Sequence, residues 1–257
     1  MIIKIIKLFL FLTKIILIKN YYFDIVKSQN KDKENKFANY LSKFLKNKNG
    51  IEIGFHYNQF NLVSLYKKNY QLNLIDGGPK LNIYIMRFIN FFLKRNLTVI
   101  HKFIDKSNIT DILRFDNIGI FSLDIDGNDY WILKELLRKK IFPEVVIVEY
   151  NSTFLNKAIS VPYKRDFNRL KMHKSGWYHG ASLVAFDKLL KSKDYSLVKV
   201  IAGVNAFFVN KEILKKTKLK KILSRDIRQE NVKRKKLSKL SSYQQFDLIK
   251  NLKFIKV

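Results

Sequence analysis

The chain has 257 residues, 47% of them apolar, enough for one well-buried domain with extensions and too apolar for a largely disordered protein. It contains no cysteine, which excludes disulfides, thiolate metal sites and a cysteine nucleophile and fits a reducing, cytoplasmic setting. The formal charge of +29 comes from 50 Lys and Arg against 21 acids, and most of the excess is lysine. Heavy use of Ile, Asn, Phe and Tyr accompanies it. All are residues with A+T-rich codons, so coding composition explains the charge better than a nucleic-acid surface. No helix-turn-helix, zinc-finger or RNP motif is present, and no specific nucleic-acid module is expected.

Residues 1–20 are rich in Ile, Leu and Phe, with Lys4, Lys7 and Lys14 on one helical face. The longest uninterrupted apolar run, 8–12, is far short of the roughly 20 residues that span a bilayer. Two readings stay open: an interfacial helix making peripheral contact with the inner face of a membrane, and a helix packed on the domain. Residues 27–34 read as a polar loop, and 37–44 as a helix covering one edge of a sheet.

From Gly50 the pattern changes to short β-rich runs at 51–53, 72–75, 98–100, 118–125, 145–148, 197–201 and 206–209. Helical spacing separates them at 60–68, 81–94, 109–114, 130–138 and 182–191. Such alternation predicts a Rossmann-like three-layer α/β sandwich with a mostly parallel seven-stranded sheet. The last two runs have no helix between them and should pair as an antiparallel C-terminal edge hairpin. The expected organisation is a helical N-terminal extension over 1–49, the Rossmann-like domain over 50–210, and a basic, helical tail over 211–257. Within that tail, 233–236 reads as a solvated charge run.

Open α/β sheets bind ligands at the carboxyl ends of their strands, where backbone N–H groups are left free. The first strand ends at Glu52, Ile53 and Gly54, followed by Phe55, His56, Tyr57 and Asn58. The second ends at Asp76, Gly77 and Gly78, with Asp76 at the distance beyond Gly54 from which an acid reaches ribose hydroxyls. The fourth ends in Asp124, Ile125, Asp126, Gly127, Asn128 and Asp129, and the fifth in Glu149, Tyr150 and Asn151. An EF-hand over the fourth segment fails, because Ser122 and Leu133 would occupy positions that need Asp and Glu. Asn128 or Asp129 could cap the following helix. On an extended segment, Asp124 and Asp126 point the same way and could share a divalent metal or divide base and orienting roles. No serine–histidine–acid arrangement or paired-histidine metal spacing supports hydrolase chemistry.

Four segments in this order, 122–131, 146–151, 180–183 and 203–209, resemble FkbM-type S-adenosylmethionine-dependent methyltransferases. The resemblance spans about 50–210 and is strongest in its second half. It implies a class I methyltransferase fold, S-adenosylmethionine as donor, and transfer to an oxygen of a sugar, a glycan or a related small acceptor. By that likeness Glu52 and Gly54 would line the methionine part of the cofactor and Asp76 its ribose, and His56, Gly77 and Asp124 are further cofactor-binding candidates, with His56 able to replace a hydrogen bond lost in the loop after Gly54. Asp124 and Asp126 would sit at the transfer site, with Glu149, Asn151, His179 and Asn205 around the acceptor. The loop after Gly54 departs from the family's small and acidic residues, placing Phe55 and Tyr57 there instead. Two other readings compete: a metal-dependent nucleotide-sugar glycosyltransferase using Asp124 and Asp126, and a non-catalytic methyltransferase fold serving as a binding module.

Overall fold

The computed structural model describes Phe11, Thr13, Tyr22 and residues 32–257. The helix expected over 1–20 therefore lies, apart from Phe11 and Thr13, outside the described residues. No described helix is long and apolar enough to cross a membrane.

Seven strands form one sheet: β1 (Asn49–Ile53), β2 (Gln71–Asp76), β3 (Leu97–His101), β4 (Ile120–Leu123), β5 (Val145–Glu149), β7 (Ser196–Ile201) and β8 (Asn205–Val209). Their order is β3-β2-β1-β4-β5-β8-β7. The pairings from β3 to β5 are parallel, whereas β8 runs antiparallel to both β5 and β7. This is the Rossmann-like arrangement that the class I methyltransferase resemblance implies, with the expected hairpin closing one edge. The central strands are apolar on both sides because each side is covered. Ile51, Ile53, Phe121, Leu123, Val146 and Val148 face α4 (Asp129–Arg138) and α6 (Leu183–Lys191). Leu72, Leu74, Ile120, Val145, Ile147 and Phe207 face α1 (Asp32–Ser42), α2 (Val63–Lys67) and α3 (Lys80–Leu93).

Several local expectations change. Helix α1 starts inside the run read as a loop, taking in Asp32 to Glu34. It also covers a face of the sheet rather than its edge. Phe37 sits edge-on to Phe207 of the interior strand β8, with ring centroids 5.1 Å apart, and Ala38 and Leu41 are fully buried in that core. The helical run at 109–114 reduces to one 3-10 turn, Ile109–Ile112. The run at 118–125 contracts to β4 because the chain turns after Leu123. Asp126 adopts a left-handed φ of 57°, and the Asp129 carboxylate accepts hydrogen bonds from the backbone N–H of Ile125 (2.7 Å) and Gly127 (2.9 Å).

Beyond β8 the chain forms α7 (Lys211–Lys216), α8 (Val232–Ser238) and α9 (Ser242–Asp247), then returns to the domain. Its last strand, β9 (Ile255–Lys256), pairs antiparallel with β6 (Ile159–Ser160). Phe154, Ile159, Val161, Tyr178 and Ile249 form a third apolar core there, with Phe246 and Phe254 packed against it. The tail is thereby fastened to the segments that follow β5.

Candidate functional site

The ends of β1, β2 and β4 enclose a cleft of about 400 Å³, a size suited to a small molecule. Gly54 lines it at a φ of +84°, and a Cβ there would lie 1.6 Å from the Asp124 carbonyl oxygen. Only glycine permits that approach. It is held by Gly54 N donating to Ile75 O (2.8 Å) and Asp124 N donating to Ile53 O (3.0 Å). Phe55, whose placement after Gly54 departs from the family pattern, is 3% exposed and turned into the core, edge-on to Phe60. Tyr57 packs on the same core, and neither ring lines the cleft. His56 does line it, with Nδ1 hydrogen-bonded to Asn58 Oδ1 at 2.5 Å.

Asp76 stands at the end of β2 in the cleft wall. The Asn82 amide donates to Asp76 Oδ2 (3.2 Å) and to Phe55 O (2.9 Å), while Asn82 Oδ1 accepts from Tyr57 N (2.8 Å). One buried side chain thus ties the divergent loop to the Asp76 carboxylate. Gly77 and Gly78 complete this wall, and a Cβ at Gly78 would come within 2.9 Å of Asp76 Oδ2. Glu52 does not belong to it. It is buried beneath the rim and accepts from the backbone N–H of Asn61 (2.7 Å) and Leu62 (2.9 Å), which fastens the entry to α2.

Asp124 and Asp126 both line the cleft, but not through the alternation of an extended strand. Asp126 lies in the turn at positive φ, and Arg169 of α5 (Arg169–Met172) is ion-paired to its carboxylate. Partial desolvation of a side chain that remains 53% exposed, then the neighbouring Asp124 charge, raise the Asp126 pKa, and Arg169 opposes them. Glu149 ends β5 beside them. Burial raises its pKa well above the usual carboxylate range, reinforced by the charge of Asp124 and a hydrogen bond to it. Asp129 beneath is pushed up to about 7, mainly by burial. Asn128 stands at the N-cap of α4 as expected, but its side chain donates to Lys164 O (2.8 Å) instead of capping, and Asp129 reaches back to the turn.

His179 is 2% exposed, and its pKa falls well below the ordinary value through burial, then through the charges of Arg234 and Arg169. Single ligand atoms of Asp126, Glu149 and His179 lie within 4.8 Å of one another. This oxygen and nitrogen set, which shares Asp126 with the expected Asp124 and Asp126 pair, offers donor atoms of the kind a divalent metal takes. A cation there would compete with Arg169 on Asp126 and with Arg234 on His179.

Asn151 is a buried hub. Its Nδ2 donates to the carbonyls of Trp177 (2.7 Å) and His179 (2.8 Å), and its Oδ1 accepts from Thr153 N (3.1 Å) and Arg234 Nη1 (2.9 Å). Asn205 is register partner to Glu149 but does not line the cleft. It is buried, and its Nδ2 faces Glu34 Oε1 at 3.4 Å.

Arg169 and Arg234 are the site residues that sequence reading misses. Arg234 lies within the run read as a solvated face. Lys233 and Lys236 are indeed exposed, but Arg234 turns inward to Asn151, Thr153 and His179.

No protein-family model and no curated protein sequence matches the chain. Among solved structures, it is similar to an S-adenosylmethionine-dependent methyltransferase from Clostridium acetobutylicum (12% identity, 75% of this chain and 98% of that chain, TM-score 0.45). Another is magnesium protoporphyrin IX methyltransferase from Synechocystis with bound S-adenosylhomocysteine (8% identity, 73% and 86% of the two chains, TM-score 0.44). A third is the bifunctional kinase-methyltransferase WbdD (14% identity, TM-score 0.43), where the match covers 72% of this chain but 39% of that one. The chain thus spans about two fifths of the length of WbdD.

Proposed function

We propose that this protein is an S-adenosylmethionine-dependent O-methyltransferase of the FkbM type, acting on a sugar, a glycan or a related small acceptor. The observation that carries the reading is the meeting of Gly54, Asp76 and Asp124 from three parallel strand ends in one cleft, with Asp126, Glu149 and His179 adjoining. The residues fit the donor. Asp76 has Oδ2 held by Asn82 while no described residue bonds Oδ1, and the absence of a side chain at Gly78 keeps the carboxylate from being crowded. A carboxylate so placed suits vicinal ribose hydroxyls. When bound, S-adenosylmethionine supplies an electrophilic methyl group, and the remaining catalysis is positioning plus removal of the acceptor proton.

Asp126 is the base in this reading, because it faces the cleft and its raised pKa brings it nearer neutrality than an ordinary carboxylate. Asp124, hydrogen-bonded to Glu149, orients the acceptor. His179, neutral and held by Arg234, adjoins Asp126 and Glu149. The binding-module alternative loses its main support, since Phe55 and Tyr57 leave the cleft clear. The glycosyltransferase alternative would use Asp124 and Asp126 as a metal pair, and a cation there would have to displace Arg169 from Asp126.

Calorimetry with S-adenosylhomocysteine tests the proposal. The wild type should bind, and Asp76→Ala should weaken binding by about ten- to a hundredfold, the worth of a charged hydrogen-bonding group. A wild type that shows no binding retires the reading.

A further inference from the structure

Helix α3 is amphipathic in an unusual sense, because its outward face is also apolar. Ile83, Met86 and Ile89 are buried against the sheet, as a covering helix requires. On the other side Leu81, Tyr84, Phe88 and Phe91 are 66%, 59%, 60% and 71% exposed, and their spacing aligns them along one side of the helix. Phe92 joins the rings, with centroids 4.9 Å from Phe88 and 5.3 Å from Phe91. Scattered exposed apolar residues are ordinary, but an aligned row of this kind marks an interaction surface.

The charges beside the row say what fits it. Lys80 and Lys94 stand exposed at either end of the row, Arg87 between them is exposed but donates to the Val99 carbonyl through Nε (3.2 Å) and Nη2 (2.8 Å), and the helix carries no acid. A second copy of this chain would bring the same cations against themselves in a molecule of net charge +29. An anionic bilayer offers what this face lacks, apolar depth for the rings and negative headgroups for the flanking cations. The helix also begins two residues after Gly78, which lines the cleft, so a surface docked on α3 would lie near its mouth.

We propose that the exposed face of α3 is a docking surface for an anionic lipid bilayer, with Leu81, Tyr84, Phe88 and Phe91 entering the headgroup region between Lys80 and Lys94. The proposal does not depend on the reaction catalysed.

The test is co-sedimentation of the full chain with phosphatidylcholine vesicles, with and without phosphatidylglycerol. Binding should require the anionic lipid, and the exposed double substitution Phe88→Ser with Phe91→Ser should weaken it about tenfold or more while leaving the melting temperature unchanged. Because the chain has no cysteine, Phe91→Cys also gives a single site for a polarity-sensitive dye. Its emission should shift to the blue on anionic vesicles as the ring position enters the bilayer, and the shift should persist when residues 1–20 are deleted. The proposal is overturned if the double variant binds as the wild type does, if the dye does not respond, or if uncharged vesicles bind equally well. It is also overturned if the face instead mediates concentration-dependent self-association without vesicle binding.

Discussion

Arg234 of α8 donates through Nη2 to Nε2 of His179 at 3.2 Å. A guanidinium can only donate, so the imidazole nitrogen facing it must accept, and His179 is neutral with its proton on Nδ1. The same guanidinium donates to Asn151 Oδ1 (2.9 Å) and Thr153 Oγ1 (2.7 Å), so one cation from the tail organises the floor of the site. Arg234→Ala should destabilise the protein by about 2 kcal/mol, because it leaves buried acceptors unpaired. It should also raise the His179 pKa by removing the charge of Arg234, yet leave it below the ordinary value, since burial is the larger cause. Imidazole NMR shifts followed against pH would check this, and an unchanged His179 titration in the variant would refute the pairing.

Asp129 gives a pH dependence whose sign can be worked out. Its pKa is about 7 in the fold against 3.8 for the free group, so between those values the folded state holds a proton that the unfolded chain has released. Stability from this group is therefore full below about pH 4 and is lost as pH rises toward 7. The shift of about three units corresponds to at most ~4 kcal/mol. Asp129→Asn cannot titrate and exchanges one acceptor oxygen for a donor, which costs about 1–3 kcal/mol beside the N–H groups of Ile125 and Gly127. Urea unfolding at a series of pH values should show the gap between wild type and variant narrowing as pH rises. A constant gap would mean that the carboxyl is ionised throughout.

Much of this architecture was legible because it is carried by local pattern. All seven sheet strands lie where the β-rich runs stand, and the terminal hairpin follows from the missing helix between the last two. Gly54, His56, Asp76, Gly77, Asp124 and Asp126 meet in one cleft because strand ends in a parallel sheet share a rim. What local pattern does not carry depends on tertiary contact. Glu52 has the position of a cleft residue but spends its carboxylate on Asn61 and Leu62, a choice made by the path of the following loop. Arg234 was invisible because its neighbours Lys233 and Lys236 have the same polarity, and only the return of the tail decides which one turns inward. The turn at Asp126 was hidden likewise, since Ile125 extends the apolar alternation past the point where Asp129 ends the strand.

Gly54 tests the cleft as a piece of geometry. Substituting alanine would place its Cβ 1.6 Å from the Asp124 carbonyl oxygen while also forcing a side chain to a φ of +84°. Both effects act against the fold, so Gly54→Ala should cost roughly 3 kcal/mol or more. In a chain of this size that is a fall of about 6–12 °C in melting temperature. Gly180, also at positive φ but with nothing within 4 Å of its Cβ, is the control, and Gly180→Ala should cost only about 1 kcal/mol. Equal losses at the two positions would mean that β1 and β4 do not approach so closely.

The proposed base makes a prediction about rate. Asp126 must be ionised to accept a proton, so the maximal rate should rise with pH through its pKa, which lies above the ordinary carboxylate value. Arg169 is ion-paired to this carboxylate and draws its pKa down against the effects of burial and Asp124. Arg169→Ala should therefore move the acid limb of the rate profile to higher pH, with the plateau reached later. Arg169→Lys should restore part of the shift, because it returns the charge without the planar fork. Asp126→Asn should abolish the limb together with most of the rate, a loss of about 10²–10⁴-fold for a proton acceptor. If the limb stays in place when Arg169 is removed, the titrating group is another acid of the cluster, and Asp124 becomes the residue to replace next.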